Sequence, residues 1–570
     1  MVSHFRCHVI QAHDDMVNAI AVYSGGVVTG GKDGFLKVWT RDLGPMSDFD
    51  IRGCKPCLYP RIRSVDVSPD EKRLLVGTQA GEIFEVSIID GKSCHAKGPL
   101  VQSHFKGNVM GLACHPSEPF FATVGDDATL RLWSLDDMAV RQAKELDSAS
   151  RAVAFSPDGL LIAVGLGKGG AKATRDGAYL IFQAGDLSIM HEGRDSQEWV
   201  RELSFSPDGR KLACACQDNK IFIYDTTDGF ARSAVISAHQ APVTAMDWSS
   251  DSLYLMSMDE AKVLLFADAG SGVQIPVAAT LKDAKWATQT GWLNWASQGM
   301  HPNKESGEAL VATDRQHSGK LVCAADNYGR VKVYNYPTYE YGHGCSLYRG
   351  HVGTVGSVRW VAGDGHLVSV GRSDRCVFQW RVLPDGVLQE GDLAGDSGDD
   401  SEVERDCGRG NVQGMERYAE GVAEAALEQE KSGGGDKKKA KASKGRGGST
   451  VKPWLTSLVP PSKVNSALEL SEAPPVSLAL DFAHGTRCGD VRNAVRYNAF
   501  GDIVYPAAAM GVIYNAPSHS QQYHTGHRGD VVAMAMDAQG LIFATGDGSL
   551  GEVSIVVFAL EKSTAQPQWV

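Results

Sequence analysis

Three segments of the chain hold a histidine, a hydroxyl residue and an aspartate, the side-chain types that catalytic triads use for acyl transfer. The sets are His13/Thr29/Asp33, His104/Thr123/Asp127 and His351/Ser369/Asp374. A tryptophan follows each aspartate by six residues, at Trp39, Trp133 and Trp380. A triad occurs once, on converging loops beside an oxyanion hole, whereas these sets repeat with an indole attached. We therefore interpret them as structural hydrogen-bond networks and predict no catalytic residue.

The elements that must position these sets are short strands. A repeat of about forty residues with a Gly-His opening and a closing aromatic residue is typical of WD40 propeller blades. In such a blade the histidine lies in the loop that enters it and the aspartate in the tight turn between two inner strands. The hydroxyl group and the indole N–H complete a buried hydrogen-bond chain, which stiffens the blade when every member is satisfied. The repeat predicts an all-β fold containing a WD40 β-propeller.

Eight blade-like units are predicted between residues 9 and 382. They begin near His13, Arg61, His104, Ala149, Trp199, Ala238, Asp283 and Gly350. A Ser-Pro-Asp turn, as at Ser206-Pro207-Asp208, recurs at one register, with proline presetting φ and aspartate capping its own backbone. Seven and eight blades both remain open, because unit two lacks the aspartate and tryptophan and unit seven is long. In unit seven, Trp292 and Trp295 are expected to pack in the core rather than serve as binding anchors.

The 570 residues exceed one ordinary domain. We predict a propeller over 1–385, a disordered charged linker with a possible short helix over 386–450, and further strands with the start of a second propeller over 451–570. The linker has few large apolar residues and opposite blocks of charge. Its densest basic run consists of Lys437, Lys438, Lys439, Lys441, Lys444 and Arg446.

Composition excludes several classes of function. Hydrophobic residues make up 43% and charged residues 22% of the chain, as in an ordinary globular protein. No apolar run reaches membrane-spanning length, and the first residues lack the apolar core of a signal peptide. A net charge of −12 argues against nucleic-acid binding. Cys54 and Cys57 form the only CxxC pair and have no second pair of ligands, so no metal, cofactor or small-molecule substrate is predicted.

The residues resemble the echinoderm microtubule-associated protein-like family. Ala12-His13 through Trp39 looks like the opening blade of that family's second propeller, and His366 to Trp380 looks like its closing blade. Trp286-Ala287-Thr288 is similar to a stretch that generic WD40 proteins lack. The segment from Leu480 to Tyr505 is similar to the family's HELP motif, which opens the first propeller of a two-propeller unit. Here the HELP-like segment follows a propeller, as in a multi-unit member or a fragment of one; packing of the last 110 residues against a partner is the alternative.

The resemblance implies a non-enzymatic scaffold for tubulin, microtubules or axonemal proteins. It also implies a location in the cytoplasm and cytoskeleton and, in its narrower form, in a cilium or flagellum. The basic run 437–446 would attach to acidic tubulin tails, or would only keep the linker solvated and extended. One alternative is an adaptor such as a ubiquitin-ligase substrate receptor, although Thr40, Ser134 and Arg381 follow the blade tryptophans in place of the Trp-Asp-x-Arg element. Another is an enzyme built on a propeller, which would need a titratable cluster at the central channel.

Overall fold

The structure is a computed structural model that describes residues 10–168, 174–300, 308–339, 343–384, 458–462, 472–548, 554–560 and 568–569. These ranges contain 39 strands and no α-helix. All strand pairs are antiparallel, and nine of the ten sheets have four strands. Three 3₁₀ helices cover Ile51–Gly53, Ala278–Leu281 and Gln298–Met300. The predicted all-β propeller fold is confirmed, and no described helix is long and apolar enough to cross a membrane.

We number the sheets as blades 1 to 10 in chain order. Blade 1 contains β1 Val17–Tyr23, β2 Gly26–Gly31, β3 Phe35–Thr40 and β4 Pro45–Asp50. Blade 2 contains β5 Ile62–Val67, β6 Arg73–Thr78 and β7 Ile83–Ser87. Blade 3 contains β8 Val109–Cys114, β9 Phe120–Gly125, β10 Thr129–Ser134 and β11 Ala139–Glu145. Blade 4 contains β12 Ser150–Phe155, β13 Leu161–Leu166, β14 Ala178–Gln183 and β15 Ile189–Arg194.

The next three blades continue this pattern. Blade 5 contains β16 Val200–Phe205, β17 Lys211–Cys216, β18 Ile221–Asp225 and β19 Ala231–Ile236. Blade 6 contains β20 Val243–Trp248, β21 Tyr254–Asp259, β22 Leu264–Asp268 and β23 Gln274–Ile275. Blade 7 contains β24 Leu310–Arg315, β25 Leu321–Asp326, β26 Val331–Asn335 and β27 Ser346–Tyr348.

The last three blades use strands from both sides of the predicted linker. Blade 8 contains β28 Val355–Trp360, β29 His366–Gly371, β30 Val377–Pro384 and β31 Val476–His484. Blade 9 contains β32 Arg496–Tyr497, β33 Ile503–Ala507, β34 Met510–Asn515 and β35 Ser520–Thr525. Blade 10 contains β36 Val531–Met536, β37 Ile542–Asp547, β38 Ile555–Ala559 and β39 Gln568–Trp569. The eight units predicted before residue 382 correspond to blades 1 to 8.

The predicted turns connect the first and second strands of the blades. Ser206 Oγ donates to Asp208 Oδ1 at 2.6 Å, and the same carboxylate accepts from the backbone N–H of Arg210 at 3.1 Å. Gly209 has a φ of +71°, a conformation that favours glycine. The same Ser–Asp bond occurs between the first and second strands of blades 2, 4, 5 and 6.

Blades 3 to 8 form a closed ring. The first strand of each blade packs beside that of the next, from β8 to β12, β16 and β20, and from β24 to β28. β28 of blade 8 then packs against β8 of blade 3. The backbone N–H of Val109 donates to the carbonyl oxygen of Arg372 at 3.0 Å across this junction. Blades 1 and 2 therefore lie outside the ring, although the sequence predicted a single propeller over 1–385.

An irregular segment fills the space between blades 6 and 7. The backbone N–H of Thr290 donates to Asp247 Oδ1 of β20 at 2.7 Å. On the other side, Thr313 Oγ1 of β24 donates to the carbonyl oxygen of Thr290 at 3.0 Å. Trp292 and Trp295 are partly buried and pack against the neighbouring cores. Predicted unit seven is unusually long because it includes this segment. The segment fills a seventh position in the ring without forming a regular sheet.

Blades 1, 2, 9 and 10 form a second series, which we call the arc. β1 packs on β5, and β33 of blade 9 contacts β36 of blade 10. Blade 2 is joined to blade 9 where Asp66 Oδ2 accepts from the backbone N–H of Tyr497 at 2.8 Å. An equivalent hydrogen bond joins blades 7 and 8 of the ring, where Asp314 Oδ2 accepts from the backbone N–H of Trp360 at 2.7 Å. Blade 9 therefore follows blade 2 in space as blade 8 follows blade 7.

The ring and the arc share an apolar core. β31 completes blade 8 by pairing along β30, and the chain then continues directly into blade 9. Side chains of blade 2, blade 8 and blade 9 meet here, including Leu75, Phe378 and Tyr505. These contacts connect residues on both sides of the predicted division into 1–385 and 451–570. That the two parts are independently folding domains stays a prediction. The predicted linker 386–450 and the predicted strand at 453–455 lie outside the described residues.

Candidate functional site

The structure brings each of the three predicted residue sets together. In blade 3, His104 Nδ1 donates to Asp127 at 3.0 Å, and its Nε2 lies 2.8 Å from Thr123 Oγ1, which also accepts from Trp133 Nε1 at 2.7 Å. Burial lowers the pKa of His104, against the attraction of Asp127. Burial opposes ionisation of Asp127, but His104 and Arg131 outweigh it and hold its pKa below the usual range.

The other two sets have the same geometry. In blade 1, His13 Nδ1 lies 3.0 Å from Asp33 Oδ2, and Thr29 Oγ1 lies 2.8 Å from His13 Nε2 and 3.0 Å from Trp39 Nε1. In blade 8, His351 Nδ1 lies 3.0 Å from Asp374, and Ser369 Oγ lies 2.8 Å from both His351 Nε2 and Trp380 Nε1. All members lie within the blades, and their stiffening role stays a prediction.

Two further blades hold partial networks, whose full membership the sequence reasoning did not assign. His239 Nδ1 lies 3.0 Å from Asp259 and its Nε2 lies 2.7 Å from Ser257 Oγ. His527 Nε2 lies 2.7 Å from Thr545 Oγ1 in blade 10. The spacing from histidine to hydroxyl residue was a usable signal, but the closing tryptophan is missing from both blades.

The predicted basic run 437–446 lies outside the described residues. Cys54 and Cys57 are free thiols. Burial, with a smaller contribution from Glu82, raises the pKa of Cys57 to about 12, so this thiol stays protonated at neutral pH. Across the described ranges, no group of three or more His, Cys, Asp or Glu side chains is arranged to hold a metal ion.

A cationic cluster lies at the mouth of the ring channel, on the face where the first strands begin. We call this the upper face. Arg151 and Arg201 are the second residues of β12 and β16. The indole ring of Trp199 lies between them, 4.9 Å from the Arg151 guanidinium carbon and 5.2 Å from that of Arg201. Such stacking holds both guanidinium groups at the mouth of the channel.

The third member of the cluster is Arg372, in the turn between β29 and β30. Its Nε is buried and has no hydrogen-bond partner among the described residues. Burial and then the positive charges of Arg151 and Arg201 lower the pKa of Arg372. We call Arg151, Arg201 and Arg372 the arginine cluster. A buried guanidinium N–H without an acceptor is costly, and a bound carboxylate would satisfy it.

Two carboxylates compensate part of this charge. Asp126 accepts from Arg151 Nε at 2.9 Å and from its Nη2 at 3.1 Å. Burial opposes ionisation of Asp126, but the bond from Arg151 prevails and its pKa is lowered. Glu260 pairs with Arg201. The cluster therefore has three cations and two anions, and Arg372 is the member for which the described part of the chain supplies no ion-pair partner.

Acidic groups line the channel below the cluster. Glu202 Oε1 lies 3.8 Å from Arg359 Nη2. Burial raises the pKa of Glu202 to about 7 and that of Asp314 to about 6, although Arg359 lowers both. The carboxylate of Asp247 accepts bonds from the segment 288–291. These titratable groups lie where a propeller enzyme would need them, and they take part in an ion pair and in hydrogen bonds to the segment 288–291.

Comparisons with known proteins agree with this architecture. Residues 109–382 match the family model described as the echinoderm microtubule-associated protein second beta-propeller, and residues 473–512 match the HELP motif. Residues 5–40 match the WD domain, G-beta repeat. The chain therefore carries the domains of the echinoderm microtubule-associated protein-like family. The matched propeller begins at β8, the strand on which the ring closes.

Several relatives share this part of the chain. Echinoderm microtubule-associated protein-like 2 of Rattus norvegicus is 29% identical over 379 residues, which cover 66% of this chain and 56% of the relative. Echinoderm microtubule-associated protein-like 3 of Homo sapiens is 30% identical over 381 residues, covering 66% and 40%. The 77 kDa echinoderm microtubule-associated protein of Strongylocentrotus purpuratus is 29% identical over 381 residues, covering 66% and 53%. The matches thus span about half the length of these relatives.

Sequence reasoning missed the arginine cluster. Arg151 and Arg201 stand at the same position of consecutive units, which was a usable signal. Arg372 belongs to a unit that is distant in sequence. Its proximity depends on closure of blade 8 onto blade 3, and the spacing of residues carries no information about that closure.

Proposed function

We propose that the chain is a non-enzymatic WD40 scaffold that binds the acidic surface of microtubules through the arginine cluster. The buried Arg372 Nε, which has no hydrogen-bond partner among the described residues, is the observation that carries this proposal. The names of the relatives supply the partner, since they are microtubule-associated proteins. A cytoskeletal location follows from the proposal, and an axonemal partner in a cilium or flagellum is its narrower form.

The chemistry of the cluster suits an acidic polypeptide. Arginine guanidinium groups bind carboxylates through paired hydrogen bonds. The chain as a whole carries a net charge of −12, so a local cationic site is needed to bring it to an anionic surface. Arg151 and Arg201 already form ion pairs with carboxylates, so Arg372 is the member of the cluster that a ligand would bind.

Co-sedimentation of the 570-residue chain with microtubules over a salt series tests the proposal. We expect binding at low salt that weakens as salt is added. Arg372→Glu should weaken it at least about tenfold, because it reverses the charge at the centre of the cluster. Arg210→Glu is the matched control, since Arg210 is exposed in a turn on the opposite face of the ring.

Deletion of residues 433–448 separates the cluster from the predicted basic run. If this deletion abolishes binding and Arg372→Glu has no effect, attachment lies in the run and the arginine cluster is not the site. If the unaltered chain remains in the supernatant at low salt, direct microtubule binding is wrong.

A further inference from the structure

In blades 1, 2, 4 and 5 the first strand carries a β-bulge at its second residue. The strand pairing shifts register there, at Asn18, Arg63, Arg151 and Arg201. A bulged residue has no partner on the neighbouring strand, and the bulge re-aims its side chain. In the ring this position supplies Arg151 and Arg201 to the arginine cluster. In the arc the same position presents Asn18 and Arg63 at the upper end of the first strands.

Blade 9 presents Asn493 at this position. Its first strand is short, but Tyr497 of blade 9 and Trp360 of blade 8 make the equivalent hydrogen bond to an aspartate of the preceding blade. Asn493 stands four residues before Tyr497, as Gly356, the second residue of β28, stands four before Trp360. Blades 1, 2 and 9 follow one another in the arc, so their three side chains at this position are neighbours.

Hydrogen bonds hold these three residues around one short stretch of β5. Asn18 Nδ2 donates to the carbonyl oxygen of Ile62 at 2.9 Å. The backbone N–H of Asn493 donates to the carbonyl oxygen of Arg63 at 3.2 Å. Arg63 Nη2 donates in turn to the carbonyl oxygen of Gly489 at 2.8 Å. We call Asn18, Arg63 and Asn493 the arc cradle.

Each member of the arc cradle has one buried polar atom without a hydrogen-bond partner among the described residues. These atoms are Asn18 Oδ1, Arg63 Nε and Asn493 Oδ1. Buried polar atoms without partners are costly and are rare in native structures. The arc cradle therefore lacks an acceptor for one guanidinium N–H and donors for two amide oxygens.

A second guanidinium group adjoins the arc cradle. Arg375 Nη1 donates to the carbonyl oxygen of Phe105 at 3.0 Å. A Cβ at Gly489, whose carbonyl oxygen Arg63 binds, would lie 3.7 Å from the same nitrogen. Arg375 and Arg372 belong to one turn of blade 8, between β29 and β30. The arc cradle and the arginine cluster are therefore neighbouring sites on the two sides of this turn.

The carboxylates beside the arc cradle are already paired. Arg487 donates to Asp490 Oδ2 at 2.7 Å and also pairs with Asp530. Within the described residues, no carboxylate lies at ion-pair distance from Arg63 or Arg375, whose printed bonds go to backbone carbonyls. Two guanidinium groups therefore remain for an incoming carboxylate.

We propose that the arc cradle binds an acidic residue of an extended polypeptide. The side-chain carboxylate accepts from Arg63 Nε, and main-chain N–H groups of the polypeptide donate to Asn18 Oδ1 and Asn493 Oδ1. A free anion satisfies only the arginine, whereas an acidic residue within a peptide supplies the acceptor and both donors. The inference rests on the proposed function only for the class of partner, because the arc cradle shares no residue with the arginine cluster.

Binding of a fluorescent oligoglutamate peptide to the full chain tests the inference. All measurements use the Arg372→Glu chain, so that the arginine cluster does not contribute. By fluorescence anisotropy we expect binding that Arg63→Met weakens at least about tenfold, because the guanidinium is lost and the apolar stem is kept. Arg41→Met is the matched control, since Arg41 also donates to a backbone carbonyl but lies in the turn at the other end of the blade 1 strands.

A second variant applies if Arg63→Met does not fold. Asn493→Asp supplies a carboxylate beside Arg63 in place of the ligand, and aspartate tolerates the φ of +53° at this position. It should raise the unfolding midpoint of the free chain and weaken peptide binding at least about tenfold. Glutarate, a dicarboxylate without main-chain N–H groups, should compete only weakly with the peptide.

Three results would overturn the inference. They are the loss of all peptide binding in the Arg372→Glu chain, undiminished binding by the Arg63→Met or Asn493→Asp variant, and competition by glutarate equal to that of unlabelled peptide. If peptide binding depends on Arg63 while the unaltered chain does not sediment with microtubules, the inference stands and the proposed function fails.

Discussion

The ring and the arc are built from the same kind of blade, yet only the ring is closed. Both contain the His/Thr/Asp/Trp network, in blade 3 of the ring and in blade 1 of the arc. Both also join successive blades by an aspartate that accepts from a backbone N–H of the next first strand. They differ in burial at equivalent positions, as Val153 and Ile20 show.

This difference separates two properties of a blade. The local network and the turn chemistry determine how a blade folds, and they are present in both regions. Closure depends on how many neighbouring faces are available, which no single blade specifies. Substitutions at blade faces should therefore destabilise the closed ring more than the arc, because every face in the ring is already packed.

The largest expected effect comes from placing one charge at the equivalent face position of each region. Val153→Glu buries a carboxylate between two ring blades, which should cost at least about 3 kcal/mol of unfolding free energy and leave little folded protein. Ile20→Glu should leave the chain folded. Thermal unfolding followed by near-ultraviolet circular dichroism measures both, and equal loss of stability would contradict the comparison.

The histidine networks should come next in size. His104→Ala removes one hydrogen-bond partner from each of Asp127 and Thr123 in a buried site, and we expect a loss of about 3 kcal/mol. His13→Ala should cost about half as much, because Asp33 is 11% exposed and water can solvate it. Urea unfolding of the two variants checks the order, and a larger loss for His13→Ala would reverse it.

A smaller, pH-dependent effect should distinguish the ring channel. Burial raises the pKa of Glu202 to about 7 in the folded chain, so the folded state holds this proton more tightly than the unfolded state. Stability is therefore lost as pH rises from about 4.5 to about 7. Glu202→Gln should remove part of this loss and stabilise the chain at pH 8 by about 1 kcal/mol, with little change at pH 5. The unfolding midpoint across this range is the measurement, and an unchanged pH slope would contradict it.

The smallest expected effect concerns the cysteine pair after blade 1. A chelator should leave the unfolding midpoint unchanged, because the Cys57 thiol is held protonated and a metal ligand must be a thiolate. Scanning calorimetry with and without chelator tests this. A lowered midpoint would show a metal contribution to the arc, and Cys57→Ser would then be expected to reproduce it.

Much of the local structure was predictable from the sequence. The Ser-Pro-Asp turns, the eight units before residue 382 and the strands at Leu480, Ile503 and Gly511 follow from turn residues and apolar patterning over a few positions. The three network sets were recognisable because their spacing within one unit fixes which side chains meet. These features depend on residues that are close along the chain.

The tertiary structure alone decided which blades are neighbours. Packing of blade 8 on blade 3, and of blade 9 after blade 2, joins segments that are hundreds of residues apart, and interchangeable apolar faces do not encode such pairings. The arginine cluster depends on this choice, since Arg372 meets Arg151 only where the ring closes. The sequence by itself determined the blade, its turns and its buried networks, because local geometry controls them. The ring, the arc and the exposed faces arose from long-range packing, in which the same apolar pattern fits several neighbours.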